Sequence, residues 1–320
     1  MIKELLFFEP IFKNRIWGGT ALKDVFGYNI PDEKTGECWA ISAHENGSSL
    51  VKNGIYTGRS LKDLWEKETH LFGYYNDSND LTATKFPLLV KILDARENLS
   101  VQVHPSDQYA NKYENGELGK TECWYILDCQ ADADIVFGHT AKTKDQAISM
   151  INQSQWDQFL IRKKIKPGDF FYVSEGTVHA ICKGTLVLEV QQSSDITYRM
   201  YDYNRLDDSG NLRELHIEKS LDVITIPDLT EPDRQVNQVI VGDCTITTYV
   251  SNDFFTVEKY NINGGFSMRQ NQKEYRLVSV IEGQGTVDQI EIKKGDHFLM
   301  PYGYEKIELV GNMEMIVAYK

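Results

Sequence analysis

Residues 166 to 181 read KPGDFFYVSEGTVHAI and residues 293 to 309 read KKGDHFLMPYGYEKIEL, and the two segments superimpose without a gap. Gly168 and Asp169 fall on Gly295 and Asp296, and Gly176 falls on Gly303, at a constant offset of 127 residues. A Lys-Gly-Asp turn that feeds an apolar strand and then a tight turn is what consecutive strands of a small barrel require. The offset predicts two copies of one β unit, and 320 residues are enough to build both. Where the first copy has His179, the second has Lys306. An ammonium at neutral pH has no lone pair to give, so only the first copy is equipped to hold a metal. The segment PDLTEPDRQV, with Pro227 and Pro232, reads as the linker. It divides a metal-binding N-terminal unit, 1–230, from a degenerate, metal-free unit, 231–320.

The rest of the chain agrees with a mainly β fold. ECWAISA, FPLLVKILDA, LSVQVHP, ECWYILD, TLVLEVQQ, TITTYVS, FFTVEKYNI and YRLVSVIEGQGTV are strand-like and are separated by Gly, Asn and Asp turns. Two segments of the N-terminal half have helical spacing instead. RSLKDLWEKETHLFG opens on Ser60, a candidate N-cap, and TKDQAISMINQSQWDQFL sets Ile148, Ile151 and Phe159 at roughly helical intervals. The fold class expected is two barrels with helical insertions in the N-terminal half.

Composition removes several classes of function. A net charge of −13 argues against nucleic acid, whose phosphates are bound by basic surfaces. The longest apolar runs are strand-sized and the N-terminal segment has no signal-peptide pattern, so neither a membrane partner nor export is expected, and the cytoplasm is the default location. Five cysteines without a CxxC pair read as reduced thiols and not as a thiolate metal site.

The chemistry concentrates around SVQVHPSD, residues 100 to 107. Gln102 and His104 alternate with Val101 and Val103, so on a strand the amide and the imidazole share one face, and Pro105 ends the strand. Cys123 and Cys182 adjoin or follow candidate ligands by odd steps and should face the opposite side as small buried thiols. His70, His139, His216 and His297 have no partner at ligand spacing and read as ordinary hydrogen-bonding residues. Trp17 and Trp39 read as core aromatics.

PGDxxxVxxGxxHA resembles the second signature of the cupin superfamily, and QVHP followed by a glutamate resembles a variant of the first. RIWGG, GECWAISAH, FPLLVKIL, LSVQVHPSD, GKTECWYIL and GTVHAI occur in order and narrow the likeness. From about residue 10 to 205, and more loosely beyond, the chain resembles the zinc-dependent type I mannose-6-phosphate isomerases in their short bacterial form. The resemblance implies jelly-roll barrels of the cupin type. It implies one Zn²⁺ per chain on His104, Glu122 and His179, with Gln102 as a fourth ligand in some members. Two imidazoles and a carboxylate suit this borderline ion and keep a position open for water or substrate.

The same resemblance places Lys91 in the pocket, makes Arg199 the family's active-site arginine and sets Glu189 near the catalytic centre; Lys91, Lys120, Arg199 and Gln102 are the residues expected to bind a sugar-phosphate substrate. On elementary grounds, Lys91 among the apolar residues of VKIL is costly unless it faces a cavity or a counter-charge. Lys120 shares the face of Glu122 but could equally be a solvated residue at a strand start. Arg199 could instead form a structural ion pair with Asp195 or Asp202. Glu189 lies among apolar residues that should raise its pKa. The segment ICKGTLVL between His179 and Glu189 is one residue longer than in long-form members, which weakens the assignment of Glu189; the Lys183–Gly184 turn can absorb it. His44, in GECWAISAH, could touch the pocket.

The activity implied is the interconversion of mannose 6-phosphate and fructose 6-phosphate through an enediol. Arg199 would stabilise charge at the reacting end or at the phosphate, and Glu189, Lys91 or a metal-bound hydroxide would carry the proton. Another metal-dependent cupin enzyme and a non-catalytic sugar-binding regulator are the alternatives.

Overall fold

The structure is a computed structural model that describes residues 4–73, 85–207, 209–229, 236–269 and 274–320. It is dominated by antiparallel sheets. A six-stranded sheet runs in the order Phe170–Val173, Glu122–Cys129, Thr185–Gln192, Leu88–Ala95, Thr35–Ile41, Ile11–Gly19. A five-stranded sheet faces it in the order Leu160–Lys164, Asp134–His139, His179–Ile181, Val101–Val103, Tyr198–Tyr201. The third sheet, with nine strands, carries the C-terminal copy. The sheets are open and packed face to face, so the cupin jelly roll is present as facing sheets and not as a closed barrel.

The repeat seen in the sequence is a repeat of geometry. The strands Phe170–Val173 and His297–Met300 occupy equivalent positions, as do the strand starts His179 and Lys306. In the first copy the Lys166 amide donates to Asp169 Oδ2 at 2.9 Å, and in the second the Lys293 amide donates to Asp296 Oδ2 at 2.8 Å. Gly168 and Gly295 turn with φ of 91° and 93°, a left-handed conformation that a side chain would strain. The copies differ inside. Cys244, Ile246, Tyr260, Phe266, Val280, Phe298, Met313 and Met315 help fill the C-terminal roll with apolar side chains, and Lys306 is exposed at its strand start.

Alternation along the strands divides the six-stranded sheet between two environments. Leu93, Ala95, Trp124, Ile126 and Val187 pack inside the N-terminal roll with Phe137, Phe171 and Ile181. Val90, Ile92, Cys123, Leu186 and Leu188 face the other way, against Phe255, Leu277 and Ile316 of the C-terminal sheet. The first strand, Leu6–Glu9, crosses over and pairs with His297–Met300, so the chain's opening residues complete the C-terminal sheet. The thiols follow parity. Cys123 lies in the layer between the two units and Cys182 on the outer face of the five-stranded sheet.

Both helical segments form. Ser60 caps Leu61–Lys67 by accepting from the Asp63 amide at 3.1 Å. Thr143 caps Lys144–Asn152, which buries Ala147 and Ile151 while Ile148 is only half-buried. That helix stops short of Phe159 because Ser154 takes a left-handed φ of 54°, and Trp156–Phe159 forms a separate turn. The linker expected around Pro232 falls largely outside the described residues.

Candidate active site

The interior of the N-terminal roll carries its polar groups in two cross-strand rows. On the five-stranded sheet His179 stands opposite Gln102, and Gln102 opposite Arg199. On the six-stranded sheet Trp39 stands opposite Lys91, Lys91 opposite Glu189, and Glu189 opposite Trp124. Residues opposite one another on neighbouring strands share a face, so each row aims inward together. Gly184 turns with φ of 77° ahead of the strand Thr185–Gln192, which carries Glu189. His104 follows Val103 at the strand end, with its carbonyl accepting from the Gly176 amide at 2.9 Å.

His104, Glu122 and His179 converge, and all three are buried. The two Nε2 atoms are 3.1 Å apart. Glu122 Oε2 is 3.5 Å from His104 Nε2, and Glu122 Oε1 is 3.4 Å from His179 Nε2. Nδ1 of His179 lies 2.9 Å from the Thr177 carbonyl, which can only accept, so the proton sits on Nδ1 and the Nε2 lone pair faces the cluster. Burial, and then the Lys120 charge, push the His104 pKa down to about 3. Burial likewise lowers that of His179. Burial would raise the pKa of Glu122, but the Lys120 charge and the two histidines override it and hold the carboxyl well below its ordinary range. The result is three deprotonated donors within 4.8 Å of one another.

Neither Glu122 oxygen has a hydrogen-bond partner. Lys120 Nζ forms an ion pair with Glu122 Oε2 at 2.6 Å and donates to His104 Nε2 at 3.0 Å. Two imidazole nitrogens and a carboxylate that meet in a buried space form a set that a cation satisfies, and the Lys120 ammonium is the cation against it here. Among the described residues this is the one cluster of metal-ligating side chains.

Next to it, Lys91 Nζ lies 3.7 Å from Glu189 Oε1, and the Trp124 indole N–H donates to Glu189 Oε2 at 3.1 Å. Burial, and next the charge of Glu122, raise the Glu189 pKa. Arg199 Nη1 donates to the Glu214 carbonyl at 2.8 Å, and its Nε is buried with no partner. The two carboxylates that could have claimed Arg199 are engaged elsewhere. Asp202 accepts from Arg205 and Arg213, and Asp195 accepts from Asn46 at 3.1 Å.

Residues 5–128 match the family described as phosphomannose isomerase type I, catalytic domain, and residues 245–320 match the mannose-6-phosphate isomerase cupin domain. Over 323 aligned residues the chain is 55% identical to mannose-6-phosphate isomerase ManA of Bacillus subtilis (strain 168), covering 100% of both. The chain belongs to the type I phosphomannose isomerase family. A crystal structure of mannose 6-phosphate isomerase from Bacillus subtilis superposes with a TM-score of 0.94 at 48% identity, over 99% of this chain and 100% of that one. A variant of phosphomannose isomerase from Salmonella typhimurium superposes at 0.75 with 17% identity over 99% of each chain, a likeness of fold.

Within this family fold, every site residue expected from the sequence lies on the roll's facing sheets or the loops that end their strands. His44 is the half-way case. It lines a separate cleft of about 280 Å³ with Asn46, Lys62, Lys85, Glu117 and Asp195, and its ring meets Trp39 edge-on at 5.7 Å. That cleft does not include the buried histidines. Sequence reasoning missed Glu37 and Trp124. Both are neighbours of noticed residues, but what they touch depends on pairings between distant strands, which no local pattern displays.

Proposed function

We propose that this protein interconverts mannose 6-phosphate and fructose 6-phosphate, with one Zn²⁺ per chain held by His104, Glu122 and His179, and with Gln102, opposite His179 on the neighbouring strand, as the candidate for a fourth ligand. The observation that carries the metal assignment is the convergence of two imidazole Nε2 atoms and a carboxylate within 4.8 Å of one another in a buried space. The donor set is two nitrogens and one firm oxygen, which suits zinc and leaves room for a substrate oxygen. Zinc, when bound, supplies positive charge that stabilises an oxyanion without carrying a proton.

The chain's own residues would do the rest. Isomerisation of an open-chain aldose to a ketose takes a proton from C2 and returns one to C1. Glu189 is our choice of carrier because its raised pKa brings it closer to the operating range of a general base. Lys91 beside it offers an ammonium to the substrate oxygens or to the carboxylate. Arg199, permanently charged and without a carboxylate partner among the described residues, is the group for the substrate's own negative charge. The ammonium of Lys120 now balances Glu122, and a dication on the same lone pairs would release it for an anionic ligand. The cleft at His44 is ill-suited to phosphate, since Glu45, Glu66, Glu117 and Asp195 outnumber Lys62 and Lys85 there. The apolar C-terminal roll we assign a structural role, covering the outer face of the six-stranded sheet.

Anaerobic incubation of the zinc-loaded protein with mannose 6-phosphate tests the activity. Fructose 6-phosphate should accumulate to equilibrium at the same rate as in air. Turnover that required oxygen, or binding without turnover, would favour a different cupin chemistry.

A further inference from the structure

Trp39 is fully buried, yet it is more than a filler of the core. It stands opposite Lys91 across two strands, with the ammonium 5.2 Å from its ring centroid. Its indole N–H donates to Glu37 Oε2 at 2.6 Å. Glu37 is in turn gripped by Arg15, whose Nε donates to Oε1 at 2.8 Å and Nη2 to Oε2 at 3.3 Å. Burial would raise the Glu37 pKa, but Lys91 first, and then Arg15 and the indole, keep it lowered and the carboxylate charged. Among the described residues the ion-pair contact of Lys91 is a long one, to Glu189 at 3.7 Å.

For stability alone this is a poor arrangement. A buried carboxylate and a buried ammonium could be replaced by apolar side chains of similar volume at little or no loss. What the array does achieve is direction. Glu37 and Arg15 fix the rotation of the indole, and the indole face and the Glu37 charge fix the ammonium in the roll interior. We infer that Trp39 and Glu37 are positioning residues that hold the Lys91 ammonium toward the substrate. This rests on the function proposed above, in which Lys91 meets the sugar phosphate.

A double-mutant cycle on the zinc-loaded full chain tests it, with kcat, KM and Tm measured for each protein. Trp39→Leu should lower kcat by about tenfold or more with KM changed by less than about threefold. In the Lys91→Ala background, the same change should cost residual activity less than about twofold, because the group it positions is gone. Trp39→Phe, which keeps a ring face, should recover most of the loss. If Trp39→Leu does not fold, Glu37→Gln, of equal size, takes its place in the cycle with the same expected non-additivity. Equal losses in both backgrounds would reduce Trp39 to a core aromatic and overturn the inference. So would a Lys91→Ala protein as active as the parent. A parent protein without isomerase activity would overturn the functional proposal instead, and is distinguished by that control.

Discussion

Arg199→Ala should lower kcat/KM for mannose 6-phosphate by about two or more orders of magnitude, the scale of removing a preorganised charge stabiliser. Zinc content and Tm should stay close to those of the parent. The structure supplies the reason. Arg199 donates to one backbone carbonyl, its Nε has no partner, and Asp202 is already held by Arg205 and Arg213. An arginine that stabilised the fold through Asp202 would show the opposite pattern, a lowered Tm with near-normal turnover. Arg199→Lys should rescue only in part, because an ammonium lacks the planar fork. The split of the loss assigns the contact. A fall in kcat places Arg199 at the reacting end, and a rise in KM places it at the phosphate. An Arg199→Ala protein within about threefold of the parent would remove the residue from the catalytic set.

His179→Ala should lose most of its zinc and fall to background isomerase activity. Its Nδ1 proton is committed to the Thr177 carbonyl, so its Nε2 lone pair has no other acceptor role than toward the cluster of His104 and Glu122. Removing it takes away one of the two imidazole donors and leaves the site incomplete. Elemental analysis of the purified variant checks this, and a normal zinc content would displace His179 from the ligand set.

Much of this was legible in the sequence because it is local. The Lys-Gly-Asp turns carry their own hydrogen bonds between residues three apart, so the 127-residue repeat was visible before any sheet was seen. Parity placed Gln102 on the inner face and sent Cys123 and Cys182 outward. The capping of Leu61–Lys67 by Ser60 is likewise a three-residue relation. What stayed hidden was long-range. The pairing of Leu6–Glu9 with the C-terminal sheet joins residues nearly a full chain apart, and hydropathy alone cannot name a strand's partner. The row Trp39, Lys91, Glu189, Trp124 needs three separate pairings, so the sequence marks Trp39 as a core aromatic, as its burial bears out, but does not display its register with Lys91. The early end of the helix at Asn152 turned on one left-handed residue, Ser154, that the apolar spacing did not announce.

The most direct test of the whole account is to measure metal and turnover together on the same unmodified protein. Purified protein should contain about one equivalent of zinc per chain, chelation should remove zinc and mannose 6-phosphate isomerisation in step, and added zinc should restore both. Full isomerase activity in protein stripped of metal would contradict the account, because the convergence of His104, Glu122 and His179 would then have no part in the reaction.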